Sequence, residues 1–170
     1  MGLARRRPAL GIPASAKYEE RGGPSLHAIA RLLRTQTIGS DSLVGLLDLT
    51  FLDMAVGNAD AHAKNLSLLH PEPGVLRLAP GYDVMCTAFY PRADMRPAMA
   101  VNGKHALHEV CAADVVAEAA SWGLARDRVA ARVEGMAARL PSAIAAAARD
   151  VPSMPAELVR LVSERVSEFT

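Results

Sequence analysis

The segment Gly57 to His70, GNADAHAKNLSLLH, gathers one Asp, two His, one Lys and two Asn between two apolar runs. Asp60 and Asn65 stand five residues apart, and Lys64 lies between them. Phosphoryl transfer to a hydroxyl asks for such a set. One carboxylate takes the attacking hydroxyl's proton, and a neutral amide oxygen one loop turn away holds magnesium without adding a repelling charge. An ammonium nearby meets the phosphoryl oxygens as a point charge. A second metal carboxylate must then come from a neighbouring loop, and Asp83 in GYDV fits that place. Taken alone, the spacing has a plainer source as well, because Asp/Asn-rich turns also cap helices.

These residues need elements to position them. Leu43 to Val56 is apolar on nearly every face, interrupted only by Asp48, Thr50 and Asp53, which predicts a buried central helix with Ser40 or Ser42 as its N-cap. Gly57 is placed to end that helix in a left-handed conformation, so the polar cluster begins where the helix stops. Leu66–Leu69 and Val75–Leu78 flank HPEPG and suit a short β-hairpin. APGYD then turns the chain away, which would bring Asp60, Asn65 and Asp83 to one end of the hairpin. Upstream, Gly11 to Ser25 reads as a loop, and Leu26, Ile29, Ala30, Leu32 and Leu33 recur at helical spacing. Residues 86 to 108 read as irregular. Three alanine-rich segments, about Ala112–Trp122, Arg126–Ala148 and Pro155–Phe169, read as a helical scaffold without internal repeats.

Composition agrees with a mainly α chain, since 51% of residues are hydrophobic but only 4% aromatic. Nineteen basic residues against eighteen acidic ones leave a net charge of +1, too small to gather nucleic acid, so no direct nucleic-acid contact is expected. Arg5-Arg6-Arg7 is the one local exception. No apolar run reaches the roughly 18 residues of a membrane span, and two cysteines make no disulfide framework; both point to the cytoplasm. His105, His108 and Cys111, at intervals of three, would share a face if they lay on one helix, with His62, His70 and Cys86 as further metal ligands, but no paired C-x2-C spacing supports zinc. Cys86 reads as a small buried hydrophobe, and Tyr18, Tyr90 and Trp122 read as packing residues.

The interval from Asp60 to Asn65 equals that between catalytic aspartate and metal-binding asparagine in the protein-kinase catalytic loop. GNADAHAKNLSLL followed by LRLAPGYDV resembles the catalytic and metal-binding segments of the HipA-like serine/threonine kinases, the toxins of bacterial toxin-antitoxin pairs. LGIPASAKYEERGGPS upstream and RPAMAVNGKHALHEV downstream resemble further segments of that family in the expected order, so the similarity runs from about Ala9 to Val110. The resemblance implies a mainly α fold, the helical C-terminal lobe of a HipA-like kinase with one short β-hairpin, over residues 1–170 as a single domain. It implies Asp60 as the catalytic aspartate and Asn65 and Asp83 as the magnesium-binding, and so ATP-binding, residues. His62 takes an orienting role and Lys64 a phosphate or loop-ordering role. ATP and Mg are the implied cofactors, with a protein substrate and a HipB-like antitoxin as partners.

A kinase also needs an N-terminal lobe with a glycine-rich loop and a strand lysine. The sequence has no G-x-G-x-x-G, and none of Lys17, Lys64 and Lys104 sits on such a strand. The expectation is therefore a truncated kinase, inactive on its own. The alternative is a non-catalytic binding module that recruits a HipB-like antitoxin or a separate N-lobe partner.

Overall fold

In the computed structural model, residues 7–8, 17–37, 39–73 and 75–170 are described. Helix α2 (Asp41–Val56) is central because its sequence leaves it almost no polar face: Leu43, Leu46, Leu47, Phe51, Met54 and Ala55 are all buried. Burying each of the Leu, Phe and Met side chains contributes about 2 kcal/mol. Helices α1 (Leu26–Gln36), α3 (Ala112–Ser121) and α5 (Ala156–Phe169) pack on α2, and α4 (Arg126–Asp150) lies against α3 and α5. Phe51 of α2 and Phe169 of α5 meet edge to face, with ring centroids 5.5 Å apart. The three alanine-rich segments are thus the expected scaffold.

The two candidate caps of α2 divide the work differently from the sequence expectation. Ser40 occupies the N-cap position but makes no side-chain cap bond. Ser42 instead accepts the Leu78 N–H at 3.1 Å, so it ties the hairpin onto α2.

Strands β2 (Ser67–Glu72) and β3 (Val75–Leu78) form the antiparallel hairpin. Pairing runs further into HPEPG than the prolines suggest. Leu69 faces Arg77 and Glu72 faces Val75, so β2 carries one extra residue between the two pairs. Pro71 falls within that irregularity, where the loss of a ladder donor is tolerated. A short strand β1 (Arg7–Pro8) pairs with the other edge of β2, with Arg7 opposite Leu68. The sheet therefore has three strands where the sequence predicted a two-stranded hairpin. Arg5 and Arg6 of the basic run, and Gly11 to Ala16 of the predicted loop, lie outside the described residues.

Asp114 organises the other end of the domain. It is buried in the first turn of α3, where it accepts the Cys111 N–H at 2.9 Å, Lys104 Nζ at 2.8 Å and Asn102 Nδ2 at 3.0 Å. Burial alone would raise its pKa, but the Lys104, Cys111 and Asn102 donors outweigh it and hold the carboxyl below its ordinary value.

Candidate active site

The polar loop starts as the sequence predicts. Gly57 has φ 82°, and the next amide, Asn58 N–H, reaches back to the Asp53 carbonyl at 2.7 Å to close the end of α2. Asn58 is buried, and its Nδ2 donates to Asp53 Oδ1 at 2.8 Å. Burial pushes the Asp53 carboxyl up to about 6, against the opposing effect of the Asn58 bond. The loop is then braced by buried Thr87. Its N–H and its hydroxyl both donate to the Gly57 carbonyl, at 2.9 and 2.8 Å, while the hydroxyl accepts the Ala59 N–H at 3.0 Å. Ala98 N–H donates to the Ala59 carbonyl at 2.8 Å, and Glu19 N–H to the Ala98 carbonyl at 2.9 Å.

That backbone relay brings the 17–21 segment beside the loop. Tyr18 Oη donates to Asp60 Oδ1 at 2.6 Å, a charge-assisted length, and Lys17 Nζ lies 3.5 Å from the same oxygen. The Asp60 side chain keeps 40% of its surface exposed, at a cleft of about 570 Å³ that Lys17, Tyr18, Arg21, Tyr90 and Arg96 also line. The Lys17 ammonium is held above its ordinary pKa, first by the Tyr18 hydroxyl and then by the Asp60 charge, against its partial burial.

His62, Lys64 and Asn65 follow on the same loop, the last two in a 3-10 turn over Ala63–Asn65. The His62 ring meets Tyr18 edge to face at 6.1 Å, and its Nδ1 is buried without a hydrogen-bond partner among the described residues. Asn65 is half-buried and lines a second, much smaller cavity with Asp53, Asn58, His62 and Tyr82. Asp60 and Asn65 thus line separate cavities. Tyr82 joins this loop to the segment after β3: its hydroxyl donates to the Lys64 carbonyl at 2.9 Å and lies 2.8 Å from the Ser67 hydroxyl. Asp83, the next residue, is exposed and has φ 60°, a left-handed conformation that Asp tolerates better than most side chains. Gly81 lets this segment approach α2, since a Cβ there would collide with Leu49.

The comparison with known proteins follows the same residues. The family model for the HipA-like C-terminal domain matches residues 7–144. The chain belongs to that family. Similar proteins include a putative kinase, Y4mE, of Sinorhizobium fredii, 30% identical over 154 residues that make up 90% of this chain and 36% of the relative. The serine/threonine-protein kinase toxin HipA of Shewanella oneidensis is 26% identical over 151 residues, 81% of this chain and 34% of the toxin. A chain in the complex of Shewanella oneidensis HipA, HipB and operator DNA shares the fold, with TM-score 0.80 and 22% identity over 98% of this chain and 42% of that one. This HipA-like domain therefore spans between a third and a half of the proteins it matches.

Several features of the HipA-like domain differ from what its residues announce singly. Tyr18 is a hydrogen-bond donor to Asp60 rather than a packing residue, and Tyr90 is 53% exposed. Trp122 and Cys86 are buried, as expected. Lys17 belongs to the Asp60 cluster, and Asp53 with Asn58 forms the base of the loop. His105, His108 and Cys111 do not share a helical face: a 3-10 turn covers Leu107–Glu109, and Cys111 is the N-cap of α3. Among the described residues, no three His, Cys, Asp or Glu side chains gather to hold a metal ion, and no helix is long and apolar enough to cross a membrane.

Proposed function

We propose that the chain is the catalytic-loop half of a HipA-like serine/threonine kinase of a toxin-antitoxin system, which transfers phosphate from MgATP to a hydroxyl on a protein substrate. Asp60 receives the proton of the attacking hydroxyl, Lys64 offers a point charge to phosphoryl oxygens, and His62 orients the loop through its contact with Tyr18. Asn65 and Asp83 are the residues that would hold magnesium. The fit is chemical: their side chains have no hydrogen-bond or ion-pair partner among the described residues, and one neutral with one anionic oxygen donor suits a cation that keeps most of its water. The chemistry supplied by magnesium at that place is neutralisation of phosphate charge.

The observation that carries this reading is the Tyr82 clamp, which ties the turn bearing Asn65 to the segment bearing Asp83 through the Lys64 carbonyl. Family membership and the open position of Asp60 at a large cleft add to it. These 170 residues contain no G-x-G-x-x-G, so alone they are expected to bind MgATP weakly and to transfer no phosphate. Joined to such a half, they should label a serine-containing protein from radioactive ATP, and Asp60→Asn should lower the rate by about 10²- to 10⁴-fold. Transfer that Asp60→Asn leaves intact contradicts the reading, as does robust transfer by the 170 residues alone.

A second reading, a non-catalytic module that recruits a HipB-like antitoxin, draws on an apolar groove of about 470 Å³ between the 84–90 segment and helices α4 and α5. The fold shared with a chain of a HipA–HipB–DNA complex supports the same class of partner. Co-purification with a co-expressed HipB-like protein, without phosphate transfer in any assembly, favours that reading. Two free thiols, Cys86 and Cys111, agree with a cytoplasmic site of action in either case.

A further inference from the structure

We infer that Tyr18 is a positioning residue for Asp60: its hydroxyl occupies one carboxylate oxygen, so that the other is the oxygen presented to the substrate hydroxyl. This rests on the phosphotransfer reading above and adds to it a residue 42 positions away in sequence.

The two contacts on the Asp60 carboxylate fall on the same atom. Tyr18 Oη and Lys17 Nζ both approach Oδ1, at 2.6 and 3.5 Å, and Oδ2 has no partner among the described residues. A carboxylate on a loop turns freely about its last bond unless something holds it, and a general base works only from a narrow range of orientations. Tyr18 is well placed to hold it. Its carbonyl accepts the Arg21 and Gly23 N–H groups at 3.0 and 2.9 Å, and its neighbour Glu19 is bonded through Ala98 to Ala59, the residue before Asp60. Glu19 also accepts the Ala100 N–H at 2.8 Å, which fixes the segment from its other side. The ring carries Lys17 Nζ at 4.6 Å and Arg21 at 5.4 Å from its centroid. A phenylalanine would keep every one of these ring contacts and lose the hydroxyl alone, with its bond to Asp60 and its hold on the Lys17 ammonium.

Tyr18→Phe is therefore the informative variant. In the polypeptide that joins these residues to an ATP-covering half, kcat should fall by about 10- to 100-fold with the KM for ATP unchanged. Tyr18→Phe with Asp60→Asn should be no slower than Asp60→Asn alone, because the hydroxyl's effect on the reaction passes through that carboxylate. A structural role would instead lower thermal stability and add to the Asp60→Asn loss. In the 170-residue chain, the Tyr18 hydroxyl proton should exchange slowly with solvent by NMR and should lose that protection in Asp60→Ala. Wild-type kcat in Tyr18→Phe, an additive double variant, or an unprotected hydroxyl overturns the inference. An Asp60→Asn enzyme at full rate overturns the phosphotransfer reading as well, whereas its inactivity beside a fully active Tyr18→Phe overturns this inference alone.

Discussion

Asp53 offers a test of the loop's foundation that needs no catalytic activity. Its carboxyl sits mostly buried in the last turn of α2, and that burial pushes it from 3.8 to about 6 against the opposing Asn58 bond. The folded chain then holds this proton more tightly than the unfolded one. Its contribution to stability is complete below pH 3.8 and is lost as pH rises through about 6. Holding that proton more tightly corresponds to about 3 kcal/mol, which partial solvent contact reduces to about 1–3 kcal/mol. Asp53→Asn keeps an oxygen for the Asn58 Nδ2 bond and removes the titration. The variant should match wild type near pH 4 and exceed it by about 1–3 kcal/mol at pH 7.5. Urea unfolding followed by fluorescence of the single, buried Trp122 measures both values. A variant whose stability relative to wild type is the same at the two pH values would refute the assignment of a costly buried carboxylate.

Two further outcomes concern the frame around the site. Thr87→Val removes a hydroxyl that donates to Gly57 and accepts from Ala59, and should cost about 1–3 kcal/mol with faster amide exchange at Ala59. Asp114→Ala removes the carboxylate half of the α3 capping box and leaves Lys104 without its ion-pair partner, at a cost of about 2 kcal/mol. Since donors outweigh burial and depress the Asp114 pKa, its stabilisation is present above the ordinary carboxylate value and is lost as pH falls through the folded one. Thermal melts should show the wild-type advantage over Asp114→Ala shrinking in strong acid.

The parts of the fold that were legible in the sequence are those fixed by local pattern. An apolar helix with no polar face has to be central, and Gly57 can end it where most residues cannot, so α2 and the start of the polar loop follow from composition and one glycine. The hairpin follows from two short apolar runs, although the extra residue on β2 moves Pro71 from the predicted loop into the strand. The partners of the site are a different matter. Tyr18 reaches Asp60 because Ala59, Ala98 and Glu19 are linked through backbone groups, and an alanine in such a relay leaves no mark in the sequence. Thr87 likewise lies 28 residues from the amide it accepts, with no periodicity to announce it. Asp53 was visible as a charge in an apolar helix, but its bond to Asn58 depends on the left-handed turn that folds the chain back.

The central proposal is that Asn65 and Asp83 hold one divalent cation that serves the reaction at Asp60. Its most direct test is paramagnetic broadening in the 170-residue chain titrated with Mn²⁺ and ATP, since fast exchange makes even weak binding visible. The account predicts selective broadening of the Asn65 side-chain amide and of the signals of Asp60 and Asp83, removed by Asn65→Leu and competed by Mg²⁺. Broadening centred elsewhere, or none at these residues once Mn²⁺ and ATP are in large excess, would contradict it.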